Sequence, residues 1–169
     1  MLCSASLAIM QRELRAVRRT VEAYPTDASL WEHPAGLPNA GGTLVLHICG
    51  NLQHFLGAVI GKTGYKRDRD AEFAMRNVSR DVLLTEIDAT SRAVERGLTT
   101  ITDNHMAELY PDQVANRTVS NGDFIVHLAV HLGYHLGQLD YHRRVVTGDA
   151  TSINALAPKE LPVRGAVGT

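Results

Sequence analysis

The chain has 169 residues, 44% of them hydrophobic and 21% charged, the composition of one ordinary globular domain and not of a disordered chain. Lys plus Arg number 17 against 18 for Asp plus Glu, a formal net charge of −1, which gives no general pull toward nucleic acid or an anionic membrane. No apolar run approaches the roughly 18 residues of a bilayer span. The segment Leu2–Met10 lacks a basic n-region, which argues against a secretory signal, and two cysteines, Cys3 and Cys49, cannot supply a disulfide framework. A reduced, cytoplasmic protein is expected.

Leu7, Met10, Leu14, Val17, Val21 and Tyr24 recur at spacings of three and four, the stripe of an amphipathic helix that Pro25 ends. Residues 25–42 carry three prolines and three glycines and read as a loop anchored by Trp31. A second helix is predicted from Thr43, as N-cap, to about Ile60, with Leu44, Ile48, Leu52, Phe55, Leu56 and Val59 on its apolar face. Gly50 and Gly57 weaken it, since glycine costs roughly 1 kcal/mol against alanine inside a helix. The charged stretch Lys66–Phe73 follows as a loop, its arginines and aspartates expected to form solvated local ion pairs. Ser79 caps a third helix whose buried stripe runs from Leu83 to Ile101. After a loop at 103–119, Ser120 or Asn121 caps a fourth helix that continues to about Val146 and stops at Gly148. Residues 149–169 show no sustained period and are expected to be disordered or to lie along the surface.

Four amphipathic helices without alternating strands predict an all-α domain over residues 1–148, a four-helix bundle. Its two long connections, roughly 17 residues each, leave room for crossovers.

Of the eight histidines, four fall between positions 127 and 142. His131 and His135 are one turn apart on one helical face, the spacing at which two imidazoles reach a common cation. Leucine follows the first histidine where a zincin has glutamate, and the Glu-x-x-His pairs of di-iron bundles are missing. The third ligand expected is His47, an imidazole on the apolar run Leu44–Ile48, where burial is costly without a hydrogen bond or a metal. Cys49 points about 200° away and should not join. His127 is read as a packed or outer histidine with Asp123 as its partner, His54 as a neighbour of the His47 face, and His142 as solvated beside Arg143 and Arg144. His127 and His54 are the candidate bases. Gln138 and Tyr134 flank the pair, and Arg67 or Arg69 could rim the pocket.

The elements Leu46-His47-Ile48-Cys49-Gly50-Asn51-Leu52, Arg67-Asp68-Arg69-Asp70-Ala71-Glu72-Phe73 and His127-x3-His131-x3-His135-Leu136-Gly137-Gln138, in this order and at these separations, resemble the DinB superfamily over about residues 5–148. The resemblance implies a four-helix bundle with a long crossover and one divalent metal held by His47, His131 and His135. Zinc or nickel suits such a site, with iron or copper also compatible. It further implies a small-molecule substrate and a homodimer. Relatives include thiol-dependent transferases that use a low-molecular-weight thiol, which makes a metal-held thiolate the expected nucleophile. A metal-dependent hydrolase and a non-catalytic metal- or ligand-binding module are the other readings.

Overall fold

The computed structural model describes residues 1–162, all-helical with no strand among them. The helices are α1 (Leu2–Glu22), α2 (Gly41–Leu52), α3 (Arg69–Ala74), α4 (Arg80–Thr100) and α5 (Asn121–Thr147). A π-helical segment, Gln53–Ile60, prolongs α2. Around the bundle, α1 packs on α4 and α5, and α2 packs on the same two, so α1 and α2 face each other across the diagonal. The core they enclose includes Met10, Leu14, Leu52, Leu56, Leu83 and Leu132.

The direction of the chain follows from its contacts. Tyr24, just past α1, meets Leu139 and His142 near the end of α5, and Gly41 at the start of α2 abuts the same tyrosine and histidine. Leu2 lies beside Gly122 at the start of α5. Hence α1 and α5 run parallel and α2 runs back against them. Gly57 and Gly61 then pack on Ala93 and Gly97 of α4, so α2 and α4 descend together. The connection 61–79 must therefore travel the length of the bundle. This is the crossover expected from the sequence, and the 102–120 connection joins neighbouring ends instead.

Several local expectations change. Helix α1 begins at Leu2, five residues earlier than the stripe suggested. Helix α2 starts at Gly41 with Ala40 as N-cap, and Thr43 caps nothing: its hydroxyl is buried without a partner. From Gln53 the helix widens, with the Gly61 amide donating to the Leu56 carbonyl five residues back. Part of the charged stretch is helical, as α3, with the Asp68 carboxylate accepting from the Ala71 amide as its cap. Ser79 and Ser120 cap α4 and α5 as predicted, and Gly148 ends α5 at φ 69°, a left-handed turn that favours glycine. Trp31 is buried, its indole donating to the Val78 carbonyl.

The segment 41–60 is long and apolar enough to cross a membrane by length and composition, contrary to the count of apolar runs, yet 78% of that window is buried inside the protein. It is the central helix of the core. Of the tail, residues 149–162 lie along the bundle. Arg143, fully enclosed, holds the Thr151 carbonyl and Asp149, and Arg19 holds the Ile153 carbonyl. Residues 163–169 of the expected irregular tail lie outside the described residues.

Candidate metal centre

His47 projects from α2, and His131 and His135 from facing turns of α5. Their rings converge edge to face: His47 Nε2 lies 3.4 Å from His131 Nε2, and His135 Nε2 lies 3.1 Å from the same atom. One ligating nitrogen from each of the three lies within 4.8 Å of the others, a group that could hold a metal ion. Cys49 is absent from that group. It is buried on the far side of α2 and its thiol is pushed up to about 12, first by burial.

The other ring nitrogens fit ligation. His47 Nδ1 lies 3.0 Å from Glu72 Oε2, and His135 Nδ1 lies 2.7 Å from Gln138 Oε1. Both partners present acceptor oxygens, so each Nδ1 carries the proton and each Nε2 keeps its lone pair toward the shared point. His131 is pushed down to about 4, mainly by burial and then by the neighbouring imidazoles, and His135 is lowered by the same desolvation. At neutral pH these two rings are uncharged, so an incoming cation meets no imidazolium there.

Glu72 was not among the residues singled out from the sequence. The crossover delivers it: α3 packs on α2, and the Glu72 carboxylate sinks beside His47 with 4% of the residue exposed. Arg67 reaches it through Nε at 2.6 Å and Nη2 at 2.9 Å, so the pair is buried and bidentate, unlike the solvated pairs expected of this stretch. Burial alone would raise the Glu72 carboxyl, but the bonds from Arg67 and His47 outweigh it and hold the group ionised. The sequence carried one sign of this arrangement. Gly50, one turn after His47, has no side chain because a Cβ there would overlap the Glu72 carboxylate.

The remaining candidates divide. Phe73 covers the His47 ring at 5.0 Å, with the exposed Arg69 stacked over Phe73 and not on the histidines. Arg67 also lies over Phe55, which packs on Phe124. Tyr134 is 63% exposed, its ring 5.2 Å from that of His135. His127 is exposed, stacks on Phe124 and sits 6.0 Å from the His131 ring. Its expected partner Asp123 is taken by the Ser120 hydroxyl. His54 packs against Phe55 and lies within electrostatic reach of Arg67 and Glu72, toward the His47 side, but two turns further along the helix and outside the triad. His142 is the clearest correction. It is 1% exposed, with Nδ1 2.7 Å from the Tyr24 hydroxyl and Nε2 bonded to the Glu32 carbonyl, a structural imidazole locked at both ends.

Residues 9–139 match the sequence pattern of the DinB superfamily. This chain belongs to the DinB superfamily. Its fold is also that of a DinB-like protein from Bacillus cereus ATCC 10987, known from a crystal structure: the TM-score is 0.63 at 18% identity, over 80% of this chain and 86% of that one. At that identity the likeness concerns the fold. No curated protein sequence gives a significant match. In this chain the crossover accounts for the carboxylate beside His47.

Proposed function

We propose that this DinB-superfamily protein is a divalent-metal-dependent enzyme that transfers a low-molecular-weight thiol onto an electrophilic small molecule. The observation that carries the reading is the convergence of three imidazole Nε2 atoms, two of them with the opposite nitrogen fixed by Glu72 and Gln138, and with no fourth Cys, His, Asp or Glu in the group among the described residues. Structural zinc sites take four protein ligands, whereas catalytic ones take three and keep a position open. A divalent ion held there supplies Lewis acidity and favours the deprotonated form of a thiol.

The protein side of the chemistry is positioning. Glu72 and Gln138 hold two rings in the ligating tautomer, and Arg67 holds Glu72 ionised. Arg67 bonds Glu72 through Nε and Nη2, which leaves Nη1 without a protein partner among the described residues, so it can meet a carboxylate of the thiol or its co-substrate. Transfer of a thiol is favoured over hydrolysis because the carboxylate nearest the centre is committed to Arg67 and His47 and is not free as a base; a thiol, more acidic than water, would give its proton to solvent at a cation held there without a protein base. Hydrolysis would need His127 as proton acceptor, the imidazole next along α5 from His131.

The test is turnover. Zinc- or nickel-loaded protein is mixed with bacillithiol, mycothiol or glutathione and a panel of electrophiles, and thiol consumption is followed. The proposal expects consumption that requires both metal and protein and disappears in His131→Ala. Equal rates with and without metal would overturn it. The homodimer belongs to the same proposal. The outer face of α5 leaves Val126 and Val130 45% and 66% exposed, and sedimentation of wild type against Val130→Asp reads whether a second copy covers them.

A further inference from the structure

A cavity of about 400 Å³ opens between the 37–44 segment and the outer turns of α5, walled by Leu37, Pro38, Leu44, Tyr134, Tyr141 and Gln138. Its place is set by the antiparallel run of α2 and α5. Leu44 is one turn before His47, and Gln138 and Tyr141 are one and two turns after His135, so the cavity adjoins the histidine cluster along the same groove. The volume falls in the range of small-molecule pockets. No Asp, Glu, Lys or Arg lines it. His142 also borders it, but both nitrogens of that ring are engaged by Tyr24 and Glu32.

Gln138 connects the two places. Its Oε1 accepts from His135 Nδ1, while its amide nitrogen has no protein partner among the described residues. The other half of this amide faces the open cavity and is free to donate to an acceptor bound there. We propose that this cavity receives the apolar arm of the substrate, a neutral molecule whose carbonyl or similar acceptor is met by the Gln138 amide. This rests on the metal-dependent reading above and assigns its electrophile: an aromatic or branched aliphatic compound with an acceptor near the reacting end. Tyr134 and Tyr141 supply the flat apolar walls such a group needs. Gln138 is then a positioning residue, holding His135 with one end of its amide and substrate with the other.

The fold offers its own test. Gly137 lines the cavity, and a Cβ there meets nothing within 4 Å. Leucine at this position therefore fills the cavity while improving helix propensity. Gly133, one turn earlier on α5, is equally open but lines a separate apolar cavity of about 370 Å³ with Leu2, Ile9 and Val130, so Gly133→Leu reads dye held at that second place. The probe is Nile red, a neutral aromatic dye with a carbonyl acceptor, titrated by fluorescence into full-length zinc-loaded protein whose metal content is measured in the same samples. The expected result is saturable binding, weakened at least about tenfold in Gly137→Leu, unchanged in Gly133→Leu, and weakened roughly three- to tenfold in Gln138→Leu, the worth of one hydrogen bond. Equal dye affinity in wild type and Gly137→Leu, with zinc bound in both, overturns the cavity assignment and leaves the metal reading standing. Equal weakening by both leucines also overturns it, because the dye then does not distinguish this cavity from the one beside Gly133. A chain that takes up no zinc while Gly137→Leu still blocks the dye overturns the metal reading and, with it, the cavity's link to catalysis.

Discussion

Replacing Gly50 by alanine adds a single methyl group to the apolar helix α2, a change that raises helix propensity by about 1 kcal/mol. Here that methyl would overlap the Glu72 carboxylate, whose Cδ lies 2.7 Å from where the Cβ must go. Either α3 shifts or the carboxylate swings away, and both outcomes break the contact with His47 Nδ1. The loss of a hydrogen bond to a charged group, about 1.5–3 kcal/mol, exceeds the propensity gain, so the variant should be less stable by about 0.5–2 kcal/mol. The larger effect falls on metal. Carboxylates that orient a ligating histidine are typically worth about 10–100-fold in affinity, or about 1.4–2.7 kcal/mol. Competition titration of zinc against a chromophoric chelator, with helicity followed by circular dichroism, measures it. A Gly50→Ala protein that folds and binds zinc as tightly as wild type would refute the claim that Glu72 positions His47.

Glu72→Gln should also weaken zinc about 10–100-fold while keeping the fold, because an amide cannot satisfy both Arg67 and His47 as the carboxylate does; the same titration reads it. Arg143→Ala leaves the Asp140 carboxylate to Arg144 alone and frees the tail, and thermal or urea unfolding should show a loss of about 1.5–3 kcal/mol together with faster proteolysis after Gly148. The metal-free protein should lose stability as pH falls. His54, His131, His135 and His142 all have folded-state values depressed from 6.5, His131 to about 4, so unfolding takes up protons below about 6.5. Stability is complete above that pH and lost as pH drops toward 4. Melting temperatures of apoprotein between pH 7.5 and pH 4.5 test the sign, and a rise on acidification would contradict it.

The helices were legible because their stripes bury against one another: Met10, Leu14, Val17 and Val21, or Leu128, Leu132, Leu136 and Leu139, read directly as core. The triad was legible for a related reason. An imidazole on the apolar run around His47 needs a hydrogen bond or a metal, and two more at a spacing of four on α5 offered a shared point. What the sequence hid were contacts made through the crossover. Glu72 looked like one charge among many in Arg67–Phe73, and nothing local says that the chain returns along the bundle to place that one carboxylate on His47. His142 misled for the opposite reason. Its neighbours Arg143 and Arg144 suggested solvent, yet Tyr24 and the Glu32 carbonyl come from distant segments to enclose it. The widening at Gln53–Ile60 has no marker in the hydrophobic period and read as ordinary helix. Gly50 was the one visible clue, read as a weakness of the helix when it is the space in which Glu72 sits.

The central claim is that the imidazoles of His47, His131 and His135 hold one divalent ion. Elemental analysis of purified protein after zinc loading and desalting, beside His131→Ala carried through the same steps, tests it directly. The account predicts about one zinc per chain in wild type and loss of the metal in the variant with its helical circular dichroism intact. Equal metal content in the two proteins, or none in a folded wild type, would contradict it.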